Sequence, residues 1–172
     1  LRHCTLTDLE ITARQRRRGA PLLRQVIPLL DARSESAWES IMRVLHQAAE
    51  IPVTPQQEIF DEKGRFIARA DLRIDGTRRI HEYDGAKHRE ADVHEDDLVR
   101  DRALLGARWE RHGFTSKHLR RDGATIIADA DRLLGRAWNP HRLAARQGLL
   151  DQSLLGRAGR ARACRNWRRA VA

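Results

Sequence analysis

Residues Arg65 to His88, RFIARADLRIDGTRRIHEYDGAKH, alternate apolar and polar side chains along two runs joined by Asp75-Gly76, a pattern that commits this part of the chain to a β-hairpin. In the first run Phe66, Ala68, Ala70, Leu72 and Ile74 alternate with Ile67, Arg69, Asp71 and Arg73, so one face is apolar and the other largely charged. The Asp-Gly pair predicts a two-residue type I′ turn, in which both central residues take positive φ. Such a turn sets Ile74 opposite Thr77 and Asp71 opposite Ile80, and it gathers Asp71, Ile80, Glu82 and Asp84 on one face. Asp71 and Glu82 then become diagonal neighbours, roughly 7 Å apart at their roots. Carboxylates converging in this way raise one another's pKa unless a cation lies between them. A hard divalent ion such as Mg²⁺ is the usual occupant of an oxygen-rich site.

The rest of the chain supplies helices to cover such a hairpin. Thr7-Asp8-Leu9-Glu10 has the capping-box pattern and predicts a helix to about Arg18 that ends at Gly19; Pro21 starts a second, which Pro28 shortens. From Ser36 to Ala49 the spacing Trp38, Ile41, Met42, Leu45, Ala48 is that of an amphipathic helix packed on a sheet. Glu39 flanks its apolar stripe, and Ser36-Ala37-Trp38-Glu39 is itself a capping box in which the Glu serves a backbone amide. Pro52 and Pro55 frame the entry to a strand over 56–60, and Asp61 to Gly64 turns it into the hairpin, giving a three-stranded meander. A helix carrying Leu98, Val99, Leu104 and Leu105 then stops at Gly106, and a short strand over 109–112 is diluted by its charged residues. Thr115 or Ser116 caps a turn, and a helix over 124–134 buries Ile126, Ile127, Ala130 and Leu133. Residues 137–172, broken by Gly148, Gly156 and Gly159, are expected to be a poorly ordered Arg-rich tail or short helical pieces. The order helix, three strands, helix, strand, helix places a mixed sheet of about four strands between helices, an α/β (α+β) class.

Charge is distributed unevenly along this order. Of the formal +9, residues 1–34 contribute seven Arg against three acids and residues 137–172 eight Arg against one, whereas 35–136 carry 18 basic and 20 acidic residues. The basic flanks would attract nucleic acid without sequence preference. Cys4 and Cys164 have neither disulfide-framework nor zinc-ligand spacing. No membrane-span-length apolar run or signal-peptide h-region is present, so no membrane partner and a cytoplasmic location are expected. The chain opens on Leu1 and its only Met is Met42, so a piece of a longer protein, or one lacking its true start, is expected. The expected organisation is a helical lead-in over 1–33, a domain over 34–136 and the tail.

A Glu on the first helix, an Asp on the second strand and Glu-x-Asp on the third resemble the PD-(D/E)XK nuclease superfamily. More narrowly, Ser36-Ala37-Trp38-Glu39-Ser40, Ala70-Asp71-Leu72 and Glu82-Tyr83-Asp84-Gly85 followed by His88 are similar to the very-short-patch-repair endonuclease-like group, also described as domain of unknown function 559. The resemblance spans about Ser34 to Leu134, and its most specific piece is EYDGxxH. It implies a restriction-endonuclease-like core and Mg²⁺- or Mn²⁺-dependent hydrolysis of DNA phosphodiester bonds. Asp71 and Glu82 would hold the metal, Asp84 would add a ligand, and Glu39 would hold a water at the metal. The superfamily's usual Lys, two positions after the Glu, is here Asp84; Lys87 or His88 is expected to stand in for it. Arg69, Arg100 and Arg102 are candidates for nucleic-acid contact. Longer relatives often join such a domain to a winged-helix part of an antitoxin-like protein, which implies an upstream winged-helix domain or a toxin partner. It also leaves a catalytically silent nucleic-acid-binding module as the alternative function.

Overall fold

The computed structural model describes residues 4–85 and 91–171, with the side chains of 91–96 and 168–171 outside that description. It divides into two compact units, Leu1–Arg33 and Ser34–Ala172. The first holds α1 (Leu6–Arg14), α2 (Ala20–Val26) and a 3₁₀ turn, Ile27–Leu29, around Pro28. The helix start lies two residues earlier than the expected Thr7. Thr5 is the N-cap: its hydroxyl accepts from the Asp8 amide, while the Asp8 carboxylate accepts from the Thr5 amide. The expected extension of α1 to Arg18 does not form. Arg14, Arg16, Arg17 and Arg18 would repel one another along a helix with no apolar side chain among them to repay the crowding. The Arg24 guanidinium donates to the Ala13 carbonyl and ties α2 to α1.

The second unit is built on a four-stranded sheet in the order β1 (Val53–Phe60), β2 (Phe66–Ile74), β3 (Arg79–Tyr83), β4 (Glu110–Phe114). The first three strands form an antiparallel meander, and β4 joins β3 in parallel. β1 begins earlier than the expected Gln56 and includes Pro55; an edge strand has an outer row of amides that need no partner, so a proline is tolerated there. The period of two in β2 is realised: Ala68, Ala70, Leu72 and Ile74 are buried and alternate with less buried residues.

The turn differs from expectation. Leu72 pairs with His81 and Arg73 with Ile80, a register two residues away from the one a two-residue loop imposes. Of Asp75 and Gly76 only the glycine takes a positive φ, +76°. Thr77 closes a wider loop instead: its amide and hydroxyl both donate to the Ile74 carbonyl, and the hydroxyl accepts from the Arg79 amide. Asp75 is thereby spared the left-handed conformation that a type I′ turn would require of it. Because the shift is by two, every side chain keeps its expected face.

Helices cover both faces of the sheet. α3 (Ala37–Ala48), capped by Ser36, packs Met42 and Leu45 with Leu72 and Ile74, a cluster that also takes in Leu119 of α5 (Ser116–Arg121) and Ile126, Ile127 and Ala130 of α6 (Gly123–Leu133). On the other face α4 (Ala91–Gly106) places Leu104 with Ile80, beside Ile67 and Trp109. No helix among the described residues is long and apolar enough to cross a membrane.

Residues 137–172, expected as a poorly ordered tail or short helical pieces, form two helices of 13 and 15 residues, α7 (Pro140–Gln152) and α8 (Arg157–Val171). α7 completes the main core with Leu150, 4% exposed, and packs Leu143 and Leu149 against it. Its Arg146 is buried and donates to the Leu119 carbonyl, and its guanidinium lies over Gly123, where a Cβ would fall 2.3 Å from Nη1. Gly156 and Gly159 serve as points of contact: a Cβ on Gly159 would fall 1.8 Å from the Ser153 carbonyl oxygen. Leu150→Ala should therefore lower stability by about 2–4 kcal/mol, as for other buried leucines. Chemical denaturation measures this, and a loss below about 0.5 kcal/mol, the usual range for surface substitutions, would show α7 to be a detachable appendage.

Candidate functional site

The hairpin's charged face opens into a cleft of about 630 Å³ lined by Asp71, Glu82, Asp84, Asp97, Arg100 and Arg111, with Thr115 and Ser116 at its border. β2 delivers Asp71 and β3 delivers Glu82, and continuing the observed register sets the two directly across from each other instead of on a diagonal. Asp84 follows β3, where its amide donates to the Phe114 carbonyl and prolongs the parallel pairing by one residue. Gly113 of β4 makes room for that carboxylate, since a Cβ there would lie 1.8 Å from Asp84 Oδ2.

The carboxylates are held in unequal ways. Asp71 Oδ2 accepts the Tyr83 amide at 2.8 Å, yet its pKa is pushed up to about 6, first by burial and then by the nearby Glu39 and Glu82. Glu82 is 6% exposed; its Oε2 accepts from Arg111 Nε at 2.5 Å and Arg100 Nη2 at 3.1 Å, while its Oε1 is buried with no hydrogen-bond partner. Arg111 Nη2 reaches Asp84 Oδ1 at 2.8 Å, so one guanidinium spans both acids of the Glu-x-Asp motif. Four acids against two arginines leave the lining residues with an excess of negative charge.

Glu39 stands at the edge of this group. Ser36 caps α3 by accepting the Glu39 amide, but the Glu39 carboxylate accepts the Glu35 amide, not that of Ser36. It also accepts from Gln56 Nε2 at 2.8 Å, which ties α3 to β1. Gln56 holds a positive φ of 52° at the position flanked by the Pro55–Leu72 and Gln57–Ala70 pairs, where the register brings it alongside Asp71. A non-glycine residue in that conformation is strained, and such strain gathers at functional sites. Trp38 stacks on Tyr83 at 5.3 Å between ring centres and fixes the start of α3 against the end of β3.

The structure thus brings together Asp71, Glu82, Asp84 and Arg100, with Glu39 in electrostatic reach. Arg69 pairs with Glu35 at the surface, and Arg102 is exposed on α4; neither lines the cleft. Lys87 and His88 lie outside the described residues. Arg111 was missed in the sequence, where it reads as a charge diluting a weak strand. Its signal is positional: parallel pairing sets it beside Ile80, on the face that carries Glu82. Also missed was a group on the opposite face, His81, His112 and Asp129, whose potential ligand atoms lie within 4.8 Å of one another. No protein-family model, curated protein or solved structure matches the chain.

The raised Asp71 pKa gives a signed stability effect. An unfolded Asp titrates near 3.8 and the folded one near 6, so between these values the folded chain holds a proton that the unfolded chain has lost. Asp71 therefore destabilises the fold increasingly as pH rises through that window, and the penalty is complete above it. Asp71→Asn, which keeps an acceptor for the Tyr83 amide, should be more stable than wild type at pH 7 by roughly 1–2 kcal/mol after allowance for its partial exposure. The difference should close near pH 4. Denaturant melts across pH 4 to 7 measure it; a pH-independent difference would remove the burial argument.

Proposed function

We propose that the second unit is a restriction-endonuclease-like domain that hydrolyses phosphodiester bonds of DNA with a divalent metal, Mg²⁺ or Mn²⁺, held by Asp71 and Glu82. The observation that carries this reading is the buried, unpartnered Oε1 of Glu82, across the strand pair from a carboxylate whose charge is disfavoured. That donor set fits a hard cation, because both carboxylates present oxygens and the lining residues carry excess negative charge. When bound, such an ion supplies Lewis acidity toward a phosphoryl oxygen and activates water. The chain's own residues do the positioning. Arg100 and Arg111, each anchored on Glu82, place two cations where a phosphate can meet them. Glu39, held by Gln56 and the Glu35 amide, keeps a further carboxylate beside Asp71, with Asp84 on the other side of Arg111.

Plasmid nicking by the purified chain tests the proposal. Activity should require Mg²⁺ or Mn²⁺, and Asp71→Asn and Glu82→Gln should each reduce it about 100-fold or more. In parallel, calorimetric titration should show Mg²⁺ binding that Asp71→Asn abolishes. Nicking that survives both substitutions would overturn the assignment.

A second reading has its own support. Arg111 already spans Glu82 and Asp84 in the position where the third carboxylate would turn toward a metal. If that guanidinium is the site's permanent cation, the domain is a nucleic-acid-binding module without turnover, and the basic flanks carry the affinity. It then binds duplex DNA with steep salt dependence and shows no calorimetric Mg²⁺ site.

A further inference from the structure

The face of the sheet opposite the cleft carries a chain of imidazoles whose hydrogen bonds fix every tautomer. His46 Nδ1 lies 2.7 Å from the Met42 carbonyl, which can only accept, so His46 carries its proton there and presents a bare Nε2. His81 Nδ1, 2.8 Å from that Nε2, must then be the donor. The relay leaves His81 Nε2 as an unprotonated nitrogen, and this atom is buried without a partner on a residue that is 0% exposed. Burial holds both imidazoles neutral, with their pKa values pushed well below the usual range, and the neighbouring Arg79 and His112 act on His81 in the same direction.

The parallel pairing of β3 with β4 sets His112 opposite His81, with the two rings stacked at 5.9 Å between centres and their planes nearly parallel. α6 brings Asp129 up to the same place, its Oδ2 3.6 Å from His112 Nδ1. His81 is fully enclosed, whereas the His112 side chain is 42% exposed and that of Asp129 15%, so the group opens to solvent on one side. Arg79 Nη1 donates to both His112 Nδ1 and Asp129 Oδ2, and its other terminal nitrogen pairs with Glu110.

We propose that His81, His112 and Asp129 form a binding site for a divalent transition ion of the Zn²⁺ class, independent of the carboxylate cleft. Two neutral imidazoles and one carboxylate are a borderline-soft donor set that favours Zn²⁺ over Mg²⁺, and three protein ligands leave one position open. The 4.8 Å spread of the ligand atoms contracts to a coordination shell with side-chain shifts of about 1 Å. His46 is the supporting group: by accepting from His81 Nδ1 it orients the ring and makes the free nitrogen a better donor. In the ligand-free chain the Arg79 guanidinium supplies the positive charge that Asp129 requires. The ion takes the place of its Nη1 contacts while the Glu110 pair holds the rest of the side chain.

Co²⁺ absorption spectroscopy and Zn²⁺ calorimetry on the full chain test the site. Wild type should bind Co²⁺ with the intense visible d–d bands of four-coordinate geometry, and one equivalent of Zn²⁺ should abolish them. His112→Ala and Asp129→Asn, both at partly exposed positions, should each weaken Zn²⁺ binding at least 10-fold. Circular dichroism and a thermal melt of the metal-free variants verify that they fold. Glu82→Gln should leave these intense bands unchanged, which separates this site from the cleft whatever the outcome of the nicking assay. Absence of the intense bands in wild type overturns the proposal, as does unchanged binding in both folded variants or loss of the intense bands on Glu82→Gln.

Discussion

Strand β3 is enclosed by helices on both faces of the sheet, yet three of its five residues, Arg79, His81 and Glu82, are polar and buried. A buried charge or ring nitrogen without a partner costs several kcal/mol, so the surrounding elements have to deliver partners to each position. Arg79 is met by Asp129 of α6 and Glu110 of β4, His81 by His46 of α3, and Glu82 by Arg111 of β4 and Arg100 of α4. Four separate elements are therefore tied to one short strand by polar contacts. The apolar clusters supply the bulk of the burial, while β3 decides which helix stands against which face.

Much of this was legible because strand periodicity is robust. The alternation in β2 and the sequence of β3 assign faces by parity, and parity survives the two-residue shift that the wider turn introduces. Asp71 and Glu82 therefore share the expected face although the Asp75-Gly76 turn is of another type. The turn itself was not legible, because Thr77 supplies hydrogen bonds that a dipeptide rule does not weigh. Nor was the role of α7. Its five Leu and Ala residues are interrupted by Arg146 and Gly148, and only the tertiary placement of Leu150 and Arg146 shows that one long side chain can satisfy a carbonyl of α5 while its neighbours fill the core. The contribution of β4 was hidden for a similar reason: a strand of charged and ring residues has no apolar pattern, and its partners lie about thirty positions away across a parallel crossover.

The two faces of β3 also divide by donor type. Parity sends Glu82 toward Asp71 and Asp84, whose potential ligand atoms are carboxylate oxygens, and sends His81 toward His46 and His112, whose polar ring atoms are nitrogens. Hard ions such as Mg²⁺ are suited to carboxylate oxygens and borderline ions such as Zn²⁺ to imidazole nitrogens, so the two sites proposed above would differ in preferred metal. No special geometry is needed beyond the pleat. The backbone that aims one side chain into the cleft necessarily aims the next into the layer beneath α3.

In the nuclease reading proposed above, Asp84 where a Lys is usual removes a cation from β3, and the structure restores one from β4. Arg111 Nε contacts Glu82 Oε2 while Nη2 contacts Asp84 Oδ1, so its guanidinium bridges two acids that would otherwise repel each other. The parallel register makes this possible by setting Arg111 beside Ile80, and Gly113, which pairs with Glu82, leaves the space into which Asp84 folds. A guanidinium in this role differs from an ammonium in one respect that matters for catalysis. It stays protonated at any working pH, so it can bind phosphate or fix carboxylates but cannot take a proton from water. Among the described residues lining the cleft, the carboxylates are then the candidates for a proton acceptor. With Asp71 and Glu82 committed to the metal in that reading, Glu39 and Asp84 are among the described carboxylates left for that task.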